Sequence, residues 1–253
     1  MNVNNKTILL DIGSANPRLD SGWELVDDLE VIMFEPDERS FNQIDTSSYS
    51  FSCKVFNYAL NENDGLQKLY LTRKPELTSF YKPNKTLLRR YPDKNRWDII
   101  GEIQVEAKSL KTIKHEIGDF DFIKLDTQGS ELAILRGAIG GGLETTLGIE
   151  CEVEFIELYA GQPLFGDVAK SLKLQGFEFF DFVVEYRYGR LELNRRGQLS
   201  FADALFLRTP EWVIESFKSG VIDKRKINAY FNICKVYCKE DLIEVVREEL
   251  FGL

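Results

Sequence analysis

Carboxylates that close apolar runs are the residues of this chain best placed for chemistry. Thr7–Ile12 (TILLDI) is one such run, carrying Asp11 and leading into the turn Gly13-Ser14-Ala15-Asn16-Pro17-Arg18. Val31–Phe34 (VIMF) is another, and it stops at Glu35 because Pro36 offers no N–H to a ladder. Glu35 lies 22 residues beyond Gly13, close to the roughly 20 that separate a glycine turn from a ribose-binding acid in a nucleoside-binding βαβ unit. A carboxylate there can accept both ribose hydroxyls. A dinucleotide fingerprint would also need glycines at positions 15 and 18, where the chain has Ala15 and Arg18. That disfavours the pyrophosphate of NAD or FAD. S-adenosylmethionine, with ribose and adenine but no phosphate, tolerates this turn. A third carboxylate, Asp126, ends the run Phe122–Leu125 just before Ser130 opens a helical pattern at Leu132, Ile134, Leu135 and Ala138. In an open α/β sheet such a strand end faces the ligand crevice, so the active centre is expected at this break.

The elements that must carry these residues alternate. After the first two strands, Phe51–Leu60 reads as a third, whose end would bring Asn57 and Ala59 to the mouth as candidate adenine contacts. Asn61–Gly65 has hairpin turn chemistry ahead of a strand at Leu66–Leu71. Pro17, with Trp23, Leu25, Val26 and Leu29, suggests a helix between the first two strands, weakened by Gly22. Further strands are expected at Ile103–Ala107, Thr146–Phe155, Phe177–Tyr186, Arg190–Leu193 and Phe201–Leu207, with helices at Leu110–Ile117 and through Leu174. Burial preferences place the run FEFFDF in the core. Beyond Pro210 helical periodicity takes over, in two or three helices that are candidates to cover the sheet edge, bind acceptor or form a homo-oligomer.

Thr72–Asp98 breaks the rhythm. It holds three prolines, the aromatics Phe80, Tyr81, Tyr91 and Trp97, and the bases Lys74, Lys82, Lys85, Arg89, Arg90, Lys94 and Arg96. A long loop of this composition is a candidate lid, suited to an anionic glycan or a phosphorylated sugar carrier through ring stacking and charge pairing. The lone histidine, His115, falls before the Phe122 strand and is expected to be structural or on the surface.

Composition bounds the rest. With 253 residues, 43% hydrophobic and 29% charged, the chain can bury one large core. A net charge of −9 argues against a nucleic-acid partner, whose phosphates need a concentrated basic surface. No apolar run is long enough to span a bilayer and the start MNVNNK lacks a signal-peptide core, so a cytoplasmic location is expected, with no integral membrane segment. Cys53, Cys151, Cys234 and Cys238 are scattered and expected to be structural thiols, and no metal-ligand cluster is evident.

Six blocks, LLDIGSANPR, MFEPDERSF, FNYALNENDGLQKLYL, DFIKLDTQGSELAILRGA, IECEVEFIELYAGQPLFGDV and GQLSFADALFLR, together resemble the FkbM-type methyltransferases from about Thr7 to Arg208. The resemblance implies S-adenosylmethionine dependence, a Rossmann-like class I methyltransferase sheet, mostly parallel with an antiparallel edge hairpin, and O-methylation of sugars or other natural products. It places Asp11, Gly13, Ser14 and Asn16 in the cofactor turn, Glu35 at the ribose, Asn57 and Ala59 in the third-strand block and Asp126 at the fourth. The family's turn more often reads Asp-x-Gly-Ala-Asn-x-Gly, and an acid is frequent where this chain has Gln128.

Methyl transfer from a sulfonium is an in-line displacement, so the protein must align the acceptor oxygen and remove its proton. Asp126 is the first candidate base and Glu150 the second, with Lys124 on the same strand face as Asp126 and able to pair with it. Glu131 is expected to complement the helix dipole. The expectation is an α/β methyltransferase domain over 1–208 with a C-terminal helical extension over 209–253, acting on a small-molecule or carrier-linked glycan acceptor. The alternatives are an NAD- or nucleotide-sugar-dependent enzyme on the same sheet and a catalytically silent interaction protein.

Overall fold

A computed structural model describes residues 5–14, 22–190 and 197–252. The elements in chain order are β1 (Thr7–Ile12), β2 (Leu29–Phe34), α1 (Glu38–Phe41), β3 (Ser52–Phe56), β4 (Ala59–Leu60), β5 (Gly65–Thr72), α2 (Lys85–Leu88), β6 (Ile99–Lys108), α3 (Leu110–Ile117), β7 (Phe122–Leu125) and α4 (Glu131–Gly137). They continue with β8 (Gly148–Glu154), α5 (Phe165–Leu174), β9 (Glu178–Tyr188), β10 (Gln198–Leu207), α6 (Pro210–Lys218), α7 (Lys224–Val236) and α8 (Glu240–Phe251). Seven strands form one sheet in the order β3-β2-β1-β7-β8-β10-β9. All its neighbours run parallel except β10, which is antiparallel to both β8 and β9. The sheet is therefore the mostly parallel one with an antiparallel edge that the sequence leads one to expect.

The strands at the centre are apolar because both faces are covered, as parallel sheets require. On one face Leu10, Ile12, Ile32, Ile123 and Leu125 pack against α3, α4 and α5. On the other, Leu9, Val31, Phe122 and Leu205 share a core with Trp23 and with Val213, Tyr230, Ile233 and Val246 of α6, α7 and α8. Each fully buried aliphatic side chain contributes about 1.5–3 kcal/mol relative to its exposed state. The residues beyond Arg208 thus cover a sheet face. A buried charge cluster holds them there: Asp121, at the foot of β7, accepts from Ile8 N at 2.8 Å and from Arg225 Nη1 at 2.6 Å, and Lys226 Nζ lies 2.9 Å from it.

Several expectations shift. Residues 15–21, with the expected helix start at Pro17, lie outside the described residues. Between them and β2 there is a single 3-10 turn at Trp23–Leu25, and Leu29 already belongs to β2. The third strand breaks at Asn57-Tyr58, and β4 leaves for a separate sheet ordered β4-β6-β5. The turn before β5 therefore does not close a hairpin with β4, because β6 lies between them. Of the strand expected at Arg190–Leu193, residues 191–193 lie outside the described residues, and Arg190 lies just past the end of β9. The run FEFFDF sits on the edge strand: Phe177 is buried in one core, Phe182 is half-buried against the same core and Phe180 against the other, while Phe179 is 42% exposed and packs with Phe165 and Phe182.

Candidate active site

The strand order reverses direction between β1 and β7, since the chain leaves β1 toward β2 on one side and returns to β7 on the other. Such a switch point opens a crevice at the carboxyl ends of the strands. Here it is a cavity of about 550 Å³. Its floor comes from the ends of β1, β7, β8 and β10, and its roof from Lys74–Phe80, with Arg96 and the rings of Tyr186, Tyr188 and Phe201 at the far side.

At the near end, Gly13 is held at φ +91°, a conformation in which a side chain is strained. Space excludes one too, because a Cβ there would lie 1.9 Å from the Asp126 carbonyl oxygen. The two turns are therefore locked back to back, with Asp126 N donating to Ile12 O at 3.0 Å and Gly13 N to Phe34 O at 3.0 Å. Ser14 Oγ donates to Asp11 O at 2.8 Å. Glu35 stands at the end of β2, buried, accepting from Asp37 N at 2.7 Å. Burial pushes its carboxyl up to about 7, with the charges of Asp37, Asp11 and Asp126 adding to the effect. Asp37 in turn fixes Arg39, which donates to Thr72 O and to Thr78 Oγ1 and so ties the roof to β2.

The floor is a row of charges set by register. Asp11, Lys124 and Glu150 are successive partners across β1, β7 and β8, so their side chains rise on one face. Burial works against the Lys124 ammonium, but Asp11, Glu150 and Asp126 outweigh it and hold the lysine above its ordinary value. Its ion pair is with Glu150, 3.9 Å away, while Asp126 acts on it at longer range. Burial raises Asp11 and Asp126, Lys124 opposing in both cases. Glu150 also accepts from Tyr237 Oη at 2.8 Å, so the residue after α7 reaches the floor of the cavity.

One amide organises the next level. Gln128, at φ +58°, donates through Nε2 to Asp126 Oδ1 and to Glu152 Oε1, both at 2.7 Å, and accepts from Tyr159 Oη at 2.8 Å. Its backbone carbonyl accepts from Ser79 Oγ at 2.7 Å, and Leu77 O lies 2.9 Å from Tyr159 Oη, sharing its one proton, which fastens the roof. The neutral side chain has a clear consequence. An acid at 128 could not donate to two carboxylates, and burial already drives Glu152 well above its ordinary value, with Asp126 and Asp203 adding to it. Glu131 has turned back to accept from Thr127 N at 2.7 Å and Gly129 N at 2.9 Å, so it caps the turn that presents Asp126.

Of the residues named from sequence, Asp11, Gly13, Ser14, Glu35, Ala59, Asp126 and Glu150 all line this cavity. Asn57 does not: it is exposed where β3 ends, and Tyr58 takes its place on the wall. Asn16 lies outside the described residues. His115 is exposed on α3, its ring bonded to Thr112 O. Glu152, Asp203 and the rings on β9 and β10 were not singled out from sequence. For Glu152 a signal existed, since Glu150-Cys-Glu-Val-Glu154 alternates with period two and puts its acids on one face. Among the described residues no group of three or more His, Cys, Asp or Glu is arranged to hold a metal, and no helix is long and apolar enough to cross a membrane. All four cysteines are free thiols.

No curated protein matches the chain. Among solved structures, that of a methyltransferase FkbM from Methylobacillus flagellatus KT is 14% identical with a TM-score of 0.46, covering 80% of this chain and 44% of that one. This chain therefore spans less than half the length of that relative. The model of the methyltransferase FkbM domain matches residues 11–179, about two thirds of the sequence. On that match, the chain belongs to the FkbM methyltransferase family.

Proposed function

We propose that the protein is a cytoplasmic S-adenosylmethionine-dependent O-methyltransferase that acts on a hydroxyl of a sugar or glycan precursor. The observation that carries this is the convergence of Gly13, Glu35 and Asp126 on one cavity. The residues fit the cofactor. Glu35 supplies the carboxylate that a ribose needs, Ala59 and Tyr58 an apolar wall for a base, and the lining holds seven acidic side chains against three basic ones, an excess that suits a sulfonium better than a phosphate. Held by Glu35 and the wall of Tyr58 and Ala59, the cofactor would supply an electrophilic methyl group to an acceptor hydroxyl and leave as a neutral thioether.

The chain's own residues have two tasks. They must align the acceptor oxygen behind the methyl group and take the hydroxyl proton. Asp126 is the proposed base. It lines the cavity at the end of β7, and the Gln128 amide fixes the orientation of its carboxylate. Glu150 is the second candidate, although Tyr237 and Lys124 occupy it in the floor. The rings of Tyr186, Tyr188 and Phe201 beside Glu152 and Asp203 give the acceptor end faces to stack a sugar and carboxylates to receive its hydroxyls. Transfer of tritiated methyl groups into sugars, glycan precursors, lipids and small amines tests this. Label in hydroxylated sugars supports the proposal; label confined to amines overturns the acceptor assignment.

A further inference from the structure

The segment Thr72–Asp98 carries eight Lys and Arg against three Asp and Glu, in a chain whose net charge is −9. It divides into two functional parts. Lys74–Phe80 and Arg96 line the cavity, whereas Lys82, Lys85, Arg89, Arg90 and Lys94, between them in the chain, are all exposed. The carboxylates of the segment are already committed elsewhere: Asp98 pairs with Arg73, Glu76 with Lys74 and Asp93 with Arg96. Among the described residues, Lys85, Arg89, Arg90 and Lys94 come within ion-pair distance of no carboxylate.

These charges are not on a loose loop. Asn84 caps α2 by accepting from Leu87 N, and its own N–H donates to Leu158 O at 2.8 Å. Leu88 and Trp97, each 3% exposed, anchor the segment in a small core with Leu158 and Tyr159. Tyr159 is the residue that bonds Gln128. A rigid, unneutralised basic surface is therefore fastened to the framework of the cavity, while the cavity itself is lined by an excess of carboxylates. An anion is repelled inside the cavity and attracted to this surface.

We propose that this surface borders the mouth of the cavity and recognises the phosphate of a bipartite acceptor. The neutral reacting hydroxyl enters the cavity, and a phosphate or pyrophosphate on the same molecule stays outside against Lys85, Arg89, Arg90 and Lys94. The proposal rests on the methyl-transfer reading for the hydroxyl end, but the phosphate end can be tested apart from it. Arginine and lysine on a preorganised turn suit phosphate oxygens, through charge-assisted hydrogen bonds that added salt weakens.

The test is equilibrium dialysis of the full chain against labelled inorganic pyrophosphate at low and physiological salt, with sedimentation on phosphatidylglycerol vesicles as a second arm. The variants combine Lys85→Glu, Arg89→Glu, Arg90→Glu and Lys94→Glu, or the four matching Gln substitutions, all at exposed positions. Salt-sensitive pyrophosphate binding is expected, weakened at least tenfold by the Glu set and less by the Gln set, with S-adenosylhomocysteine binding unchanged in both. Absent pyrophosphate binding, equal binding by the variants, or binding to vesicles alone would each overturn the proposal, the last reassigning the surface to a bilayer. Loss of S-adenosylhomocysteine binding by the unmodified chain would instead count against the methyl-transfer reading and leave the phosphate result standing.

Discussion

Gly13 and Asp126 face each other so closely that a Cβ on the glycine would meet the aspartate's carbonyl oxygen at 1.9 Å. The turn after β1 and the turn after β7 are thus one unit, and Asp126 N also donates to Ile12 O across it. Gly13→Ala adds a strained positive φ to a clash with backbone, which cannot rotate away. It is expected to cost more than about 2 kcal/mol in a urea titration. A loss below about 0.5 kcal/mol would show that the two turns separate freely.

Glu35 links stability and binding with opposite signs. Its folded-state carboxyl is raised to about 7 from an ordinary value of 4.5. The stability it contributes is therefore fully present below about pH 4.5 and lost as pH rises through about 7. Glu35→Gln, which cannot ionise, should stabilise the fold at pH 8 by about 1–3 kcal/mol while weakening S-adenosylhomocysteine binding. Thermal unfolding of the two proteins at pH 5 and pH 8 reads the first effect and calorimetry the second. A variant no more stable at pH 8 would contradict the burial argument.

Gln128→Glu replaces the donor between Asp126 and Glu152 with a third carboxyl group. The expected loss is on the order of 2–4 kcal/mol at pH 8, and smaller near pH 5, where the new group accepts a proton. Denaturant titrations at the two pH values check this; an equal loss at both would point to packing rather than charge.

Asp121 is 0% exposed and meets two cations of α7. Asp121→Asn leaves Arg225 and Lys226 with less compensation, although Asp119 remains 3.0 Å from Lys226. A loss of about 3 kcal/mol is expected. Hydrogen exchange should show that loss in α7 first, and uniform loss across the sheet would mean the helices do not depend on this cluster.

Much of the scaffold was legible because its signals are local. The apolar runs at Thr7–Ile12 and Phe122–Leu125 are strands with those bounds, and each carries or ends on an acid that lines the cavity. Asn57 was misplaced because the sequence does not reveal that the third strand breaks at Tyr58 and sends Ala59 to another sheet. Within FEFFDF only Phe179 is exposed where the core is expected, because hydrophobicity alone does not distinguish an edge strand from a central one. The Tyr237–Glu150 bond spans 87 residues of sequence and the Gln128–Glu152 bond 24. Neither has a spacing that a periodicity could expose, since the first depends on how the end of α7 packs against β8 and the second on how β7 pairs with β8.

Calorimetric titration of the purified, folded chain with S-adenosylhomocysteine at pH 8, against NAD in parallel, tests the central claim most directly. One site for S-adenosylhomocysteine, a weaker one in Glu35→Ala and no heat with NAD are the expected results. Folded protein that binds NAD, or that binds S-adenosylhomocysteine neither with nor without divalent ions, would contradict it.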